Sequence, residues 1–154
     1  MPKSQVSLHE SIIGVWRLNS YVTADVTGKS REYPLGEDAQ GLIFYTTDGF
    51  MSVRISKTGR PKYADGALHG GTDAERAAAA AGYLAYAGRY SVEGDVVTHK
   101  PFVTLFPNWE GTDVPRRAQI TGETLTLDFL EPIHQDGHQR MGTLTWHRVA
   151  SSDQ

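Results

Sequence analysis

The chain has no cysteine, which excludes a disulfide framework and thiolate chemistry. Long apolar runs are missing as well. Nothing in the sequence approaches the roughly 18 consecutive apolar residues of a membrane-spanning helix. Residues 1–10 hold no apolar stretch of the signal-peptide kind, so a cytoplasmic location is the expectation. Basic clusters are scarce: no more than two Lys or Arg stand side by side, and the net charge is −3. Neither nucleic acid nor an anionic membrane is therefore expected as a partner. Familiar catalytic motifs are absent too. Thr58-Gly59-Arg60 lacks the strand-to-helix setting of a phosphate loop, and no serine sits in a glycine-framed nucleophile elbow.

What is present reads as one globular domain. The chain is 154 residues long, enough for a sizeable core. Charged residues make up 21% and apolar residues 39%, a balance that folds rather than stays disordered. The 16 glycines, several in turn-like pairs, favour many short strands.

Residues 14–22 alternate, with Trp16, Leu18 and Ser20 on one face. A short second strand is expected at 30–33. Residues 41–45 and 50–55 form a hairpin around Thr46-Thr47-Asp48-Gly49, with Met51, Val53 and Ile55 on the inner side. Residues 56–71 lack periodicity and read as a long loop, a candidate lid. Thr72-Asp73-Ala74-Glu75 is a capping box that opens a single short helix running to Ala81. Tyr86, Gly88, Tyr90 and Val92 share a face of the next strand, which turns at Glu93-Gly94-Asp95. On residues 96–106 the shared face is Val97, His99, Val103 and Leu105. Residues 114–120 place Arg116, Ala118 and Ile120 together, and Leu125, Leu127 and Phe129 follow on the next strand. Residues 131–140 read as a polar loop, and 141–149 as the last strand. Eight or nine strands with hairpin connections and one short helix predict an all-β fold, an antiparallel up-and-down barrel spanning residues 12–149. Residues 1–11 are expected to be a loose N-terminus and 150–154 a tail. A barrel of about eight strands leaves room for one small ligand.

Gly14-Val15-Trp16 on the first strand, with Arg148 on the last, resembles the lipocalin and calycin signature. More specifically, the chain resembles the bacterial and fungal lipocalin-like domain proteins. The matching segments are Tyr33-Pro34-Leu35-Gly36, Tyr45-Thr46-Thr47-Asp48-Gly49-Phe50-Met51-Ser52, Tyr83-Leu84-Ala85-Tyr86-Ala87-Gly88-Arg89-Tyr90, Val97-Thr98-His99, Phe106-Pro107-Asn108-Trp109 and Leu144-Thr145-Trp146. The resemblance implies a lipocalin-like barrel in which Trp16, beneath Arg148, closes one end. Some members of that family lie beside natural-product genes, and related small barrels act as cyclases, isomerases or decarboxylases. No agreed catalytic set exists to carry over. Lys100-Pro101 departs from the family pattern and suggests a bulge near His99.

The candidate site follows from the strand phases. His99, flanked by apolar side chains, is the first catalytic candidate, since an imidazole can exchange a proton near neutral pH. The competing reading is a core histidine bonded to a buried hydroxyl or carbonyl. Arg116 in an apolar phase needs a partner, either a ligand anion or a rim carboxylate such as Glu110 or Asp113. Tyr86 is the third catalytic candidate. Tyr45, Met51, Tyr90, Leu105, Phe106, Asn108 and Trp109 are candidate ligand-binding residues. Glu131, His134, Asp136 and His138 superficially resemble a metal cluster, but they sit in a glycine-containing loop with no regular element to fix geometry. No metal and no cofactor is expected. The expected partner is a small hydrophobic or aromatic molecule, and a homodimer is left open. Three readings stand: a cofactor-free cyclase or isomerase, a non-catalytic carrier with the same pocket, and a nitrobindin-like haem barrel with His99 or His134 as axial ligand.

Overall fold

The computed structural model describes residues 6–135 and 137–150. Residues 1–5 of the expected loose N-terminus, residues 151–154 of the tail and Asp136 lie outside the described residues.

A single turn, α1 (Leu8–Ser11), capped by Ser7, leads into β1 (Gly14–Asp25). There follow β2 (Gln40–Tyr45), β3 (Phe50–Ser56), α2 (Asp73–Ala81), β4 (Tyr83–Glu93) and β5 (Val96–Thr104). A 3₁₀ turn at Pro107–Trp109 precedes β6 (Val114–Thr121), β7 (Thr124–Phe129), β8 (Ile133–Gln135) and β9 (His138–Arg148). All pairings are antiparallel, in the order β1-β2-β3-β4-β5-β6-β7-β9, and β9 returns to β1. Eight strands thus close a barrel, and β8 adds a short ninth strand beside β9. Closure removes the free edges that an open sheet would expose. Among the described residues, no helix is long and apolar enough to cross a membrane.

Alternation fills the interior. Val53 and Ile55, Leu125 and Leu127, and Leu144 and Trp146 point inward from their strands and are buried. One end of the barrel is plugged. Trp16 is fully buried, and its indole N–H donates to the Ile12 carbonyl at 2.9 Å. The Arg148 guanidinium lies 4.1 Å from the Trp16 ring centroid and donates to the Ser11 and Ile13 carbonyls, tying α1 across that end.

Two bulges shift the expected phases. On β1 the pairing with β9 slips between Leu18 and Ser20. Beyond that point Tyr21 and Thr23 face inward, and Ser20 does not continue the buried set. On β5 the register with β4 slips at Phe102, because Gly88 pairs with Pro101 while Ala87 pairs with Val103. After this extra residue Val103 and Leu105 point outward. Gly88 permits the bulge: a Cβ there would stand 2.0 Å from the Lys100 carbonyl oxygen.

The expected strand at 30–33 reduces to one bridge, Thr23 to Glu32. The segment is held instead by the buried Arg140, which donates to Thr23 and to the Ser30 carbonyl. The polar loop expected at 131–140 contains the β8–β9 hairpin. The α2 helix carries its capping box and buries none of its residues, so it rides on the outside of the barrel.

Candidate functional site

The inner ends of β4, β5 and β6 place three polar side chains in an apolar interior. His99 pairs with Tyr90 on β4 and with Val114 on β6, and Arg116 pairs with Val97. His99 and Arg116 are therefore diagonal neighbours on the inward face. The Tyr45 hydroxyl lies 2.6 Å from His99 Nε2, and the Tyr86 hydroxyl lies 2.8 Å from Nδ1. His99 is thus clasped between two phenols, one from β2 and one from β4. Burial pushes its pKa down to about 3, and the nearby positive Arg116 adds to that. The imidazole is neutral across the physiological range. Burial pushes the Tyr86 phenol up to about 12, against the opposing pull of Arg116. Burial likewise raises Tyr45 well above its ordinary value.

Arg116 is 8% exposed. It donates to the Pro115 carbonyl at 2.9 Å, and its guanidinium carbon lies 4.1 Å from the Phe129 ring centroid. Phe129 takes that position because Gly142, beneath it on β9, has no side chain; a Cβ there would stand 2.7 Å from the ring. Neither Glu110 nor Asp113 pairs with Arg116, and among the described residues no carboxylate does. Burial pushes its pKa down, with Tyr86, Tyr21 and Tyr45 opposing. A guanidinium nevertheless keeps its charge in a protein.

These groups face a small cavity of about 40 Å³ inside the barrel and away from the Trp16 plug. Its walls are mainly aliphatic and aromatic, with Tyr21, Tyr86, His99 and Arg116 as the titratable side chains. Trp109 from the 3₁₀ turn and Ile133 from β8, both half-buried, complete the wall. Trp109 meets Tyr86 edge-on at 5.4 Å between ring centroids. A wider surface groove of about 480 Å³ lies where β1 and β2 part, lined in part by Arg17, Arg54 and Tyr83. Its arginines are exposed, and it holds none of the buried polar groups.

Of the expected site residues, Tyr86, His99, Trp109 and Arg116 come together on the cavity wall. Tyr45, Met51 and Tyr90 are buried but do not line the void. Tyr45 supports His99 from behind, and the Tyr90 hydroxyl donates to the Thr46 carbonyl at 2.8 Å. Leu105, Phe106 and Asn108 are exposed, contrary to their expected place in the pocket. The β5 bulge turns Leu105 outward. Phe106 packs on Trp109 at 5.6 Å between centroids and stays 44% exposed. Asn108 lies within the exposed 3₁₀ turn. The expected lid at 56–71 contributes nothing to the cavity wall. That segment is fastened to α2, through the Ala64 amide to Glu75 and Arg60 to the Ala79 carbonyl. Tyr21 was missed, because simple alternation from Trp16 puts it on the outer face; only the β1 bulge brings it in. His134 and His138 are exposed on the β8–β9 hairpin.

Three comparisons relate the chain to known proteins. The lipocalin-like domain family matches residues 13–149. A curated relative, the 4'-hydroxy-3'-methoxypropiophenone carrier protein ppsC of Aspergillus oryzae (strain ATCC 42149 / RIB 40), is 32% identical over 107 residues, covering 64% of this chain and 96% of the relative. Among solved structures, a mutant of the fluorescent protein UnaG aligns over 91% of this chain and 97% of its own, at 11% identity and a TM-score of 0.40. The match of the family to nearly the whole barrel, from the approach to β1 to the end of β9, means that the chain belongs to the lipocalin-like domain family.

Proposed function

We propose that this barrel binds a small aromatic molecule in its interior cavity and carries it without changing it. The observation behind the reading is Arg116: a buried guanidinium with no carboxylate partner among the described residues, facing a cavity walled by aromatic and aliphatic side chains. An unpaired buried charge is costly to maintain for structure alone. Apolar walls with a few convergent polar groups are the usual make-up of a small-molecule site. The relative named as a carrier of 4'-hydroxy-3'-methoxypropiophenone supports the same class, a single aromatic ring with polar substituents.

The catalytic alternative gives His99 the proton-transfer role, with Arg116 or Tyr86 steadying an oxyanion. It is the weaker proposal. Both imidazole nitrogens are taken by phenols, and a pKa near 3 makes His99 a poor base at neutral pH. The same engagement leaves no free nitrogen for a haem iron. His99 acts here as a positioning residue that orients Tyr45 and Tyr86.

Calorimetric titration with 4'-hydroxy-3'-methoxypropiophenone, followed by mass spectrometry of the recovered ligand after long incubation, tests the reading. Saturable binding at one site per chain with the ligand recovered intact is the expected result. A converted product would replace the carrier with an enzyme, and absence of saturable binding would remove this ligand class.

A further inference from the structure

Among the described residues, the cavity wall carries more hydrogen-bond donors than acceptors. A neutral imidazole has one N–H and one lone pair. One of the two phenols clasping His99 therefore donates to it, and the other accepts from it and keeps its own O–H unspent. Tyr45 is 2% exposed and does not line the cavity, so an unspent O–H there would be buried without an acceptor, costing about 1–3 kcal/mol. Tyr86 does line the cavity, where an unspent O–H has space to meet a ligand. The proton thus belongs on Nδ1: Tyr45 donates to Nε2, and Tyr86 accepts from Nδ1–H and offers its own O–H to the void.

Arg116 adds to the same side of the balance. It has five N–H donors, and the Pro115 carbonyl takes one nitrogen. Trp146, also on the wall, has a buried indole N–H without a partner. Among the described residues, no carboxylate, amide or aliphatic hydroxyl side chain lines the cavity to receive any of them.

Building on the proposed ligand-carrying role, we infer that the Tyr86 hydroxyl and the Arg116 guanidinium form a receptor for an ionised acidic oxygen, so that the barrel takes an aromatic acid as its anion in preference to the neutral molecule. The buried cation gains a counter-charge, and the unspent donors gain an acceptor. Burial keeps the Tyr86 phenol protonated in spite of Arg116, so it meets the ligand as a donor. The ligands that fit are those whose charge is spread by conjugation: a phenol para to a ketone, an enolised 1,3-diketone or an aryl carboxylate.

The test uses 4'-hydroxy-3'-methoxypropiophenone, whose ionised form absorbs at longer wavelength, and its non-ionisable methyl ether, 3',4'-dimethoxypropiophenone. With protein in saturating excess, the ionisation midpoint of the bound phenol is read by absorbance against pH. The midpoint is expected to fall by at least about one pH unit from that of the free phenol, a tenfold preference for the anion. Arg116→Met should abolish the fall, and Tyr86→Phe should reduce it. A phenol that binds with an unchanged or raised midpoint overturns the anion receptor and leaves the carrier reading standing. A midpoint that falls equally in wild type and both variants also overturns it, because the receptor would lie elsewhere. If neither the phenol nor its ether binds, the carrier reading and this inference fail together.

Discussion

His99 shows how one residue's environment decides its role. An imidazole that titrates near 6.5 in water is held neutral down to about pH 3 by burial and by Arg116. The folded state refuses a proton that the unfolded chain accepts. The stabilisation is therefore complete above about pH 6.5 and is lost as pH falls toward 3. His99→Gln has no such group. The stability gap between wild type and this variant should close with falling pH, by up to about 1.4 kcal/mol per unit below pH 6. Denaturant unfolding at several pH values measures it, and a gap independent of pH would mean that His99 is not a desolvated neutral imidazole. The two phenols should also differ. Tyr45→Phe leaves the Nε2 lone pair buried and unpaired and should cost about 1–3 kcal/mol. Tyr86→Phe leaves an N–H beside the cavity and should cost less. Equal losses would contradict the proton placement on Nδ1.

At the scale of elements, the β5 bulge is the decisive local feature, because it keeps His99 inward while turning Leu105 outward. It depends on Gly88. Gly88→Ala drives a methyl group into the Lys100 carbonyl and should destabilise the protein by roughly 2–4 kcal/mol, measured by denaturant unfolding. A change within about 0.5 kcal/mol would show that the strand pair relaxes freely. The same bulge marks where the sequence stopped being legible. Residues that no bulge precedes on their strands turned inward as alternation alone predicts: Val53 and Ile55, Leu125 and Leu127, and the pair His99 and Arg116. Leu105 and Tyr21 lie just past bulges, where one extra residue reverses every later side chain, and a period of two cannot announce that slip. Lys100-Pro101 signalled a bulge, but not which residues would follow it outward. The lid expectation failed for another reason: length and glycine content mark a loop without saying what it covers. The cavity wall is completed by Trp109 and Ile133 instead. Hydrogen exchange should slow on ligand binding around residues 105–113 and 131–135 and change little at 56–71. Protection confined to 56–71 would reverse that assignment.

The whole molecule separates its two ends. The plugged end stacks Arg148 on Trp16 and ties α1 down. The other end holds the cavity, with Trp109 and Ile133 on its wall. Gly14-Val15-Trp16 and Arg148 were readable as a closing pair from the resemblance, and they lie at the start of β1 and the end of β9. Arg148→Ala should lower stability by roughly 2–3 kcal/mol through the lost carbonyl bonds and ring contact. Affinity for a cavity ligand, measured on the folded fraction, should change less than twofold. A large loss of affinity with unchanged stability would mean that the ligand sits at the plugged end. The central claim concerns where an aromatic ligand lies and what holds its oxygen. A crystal structure of the protein with 4'-hydroxy-3'-methoxypropiophenone measures both. The account predicts the ring inside the barrel beneath Trp109, with its phenolic oxygen within about 3 Å of the Arg116 guanidinium and the Tyr86 hydroxyl. A ligand in the outer groove between Arg17 and Arg54, or an interior ligand that leaves Arg116 untouched, would contradict it.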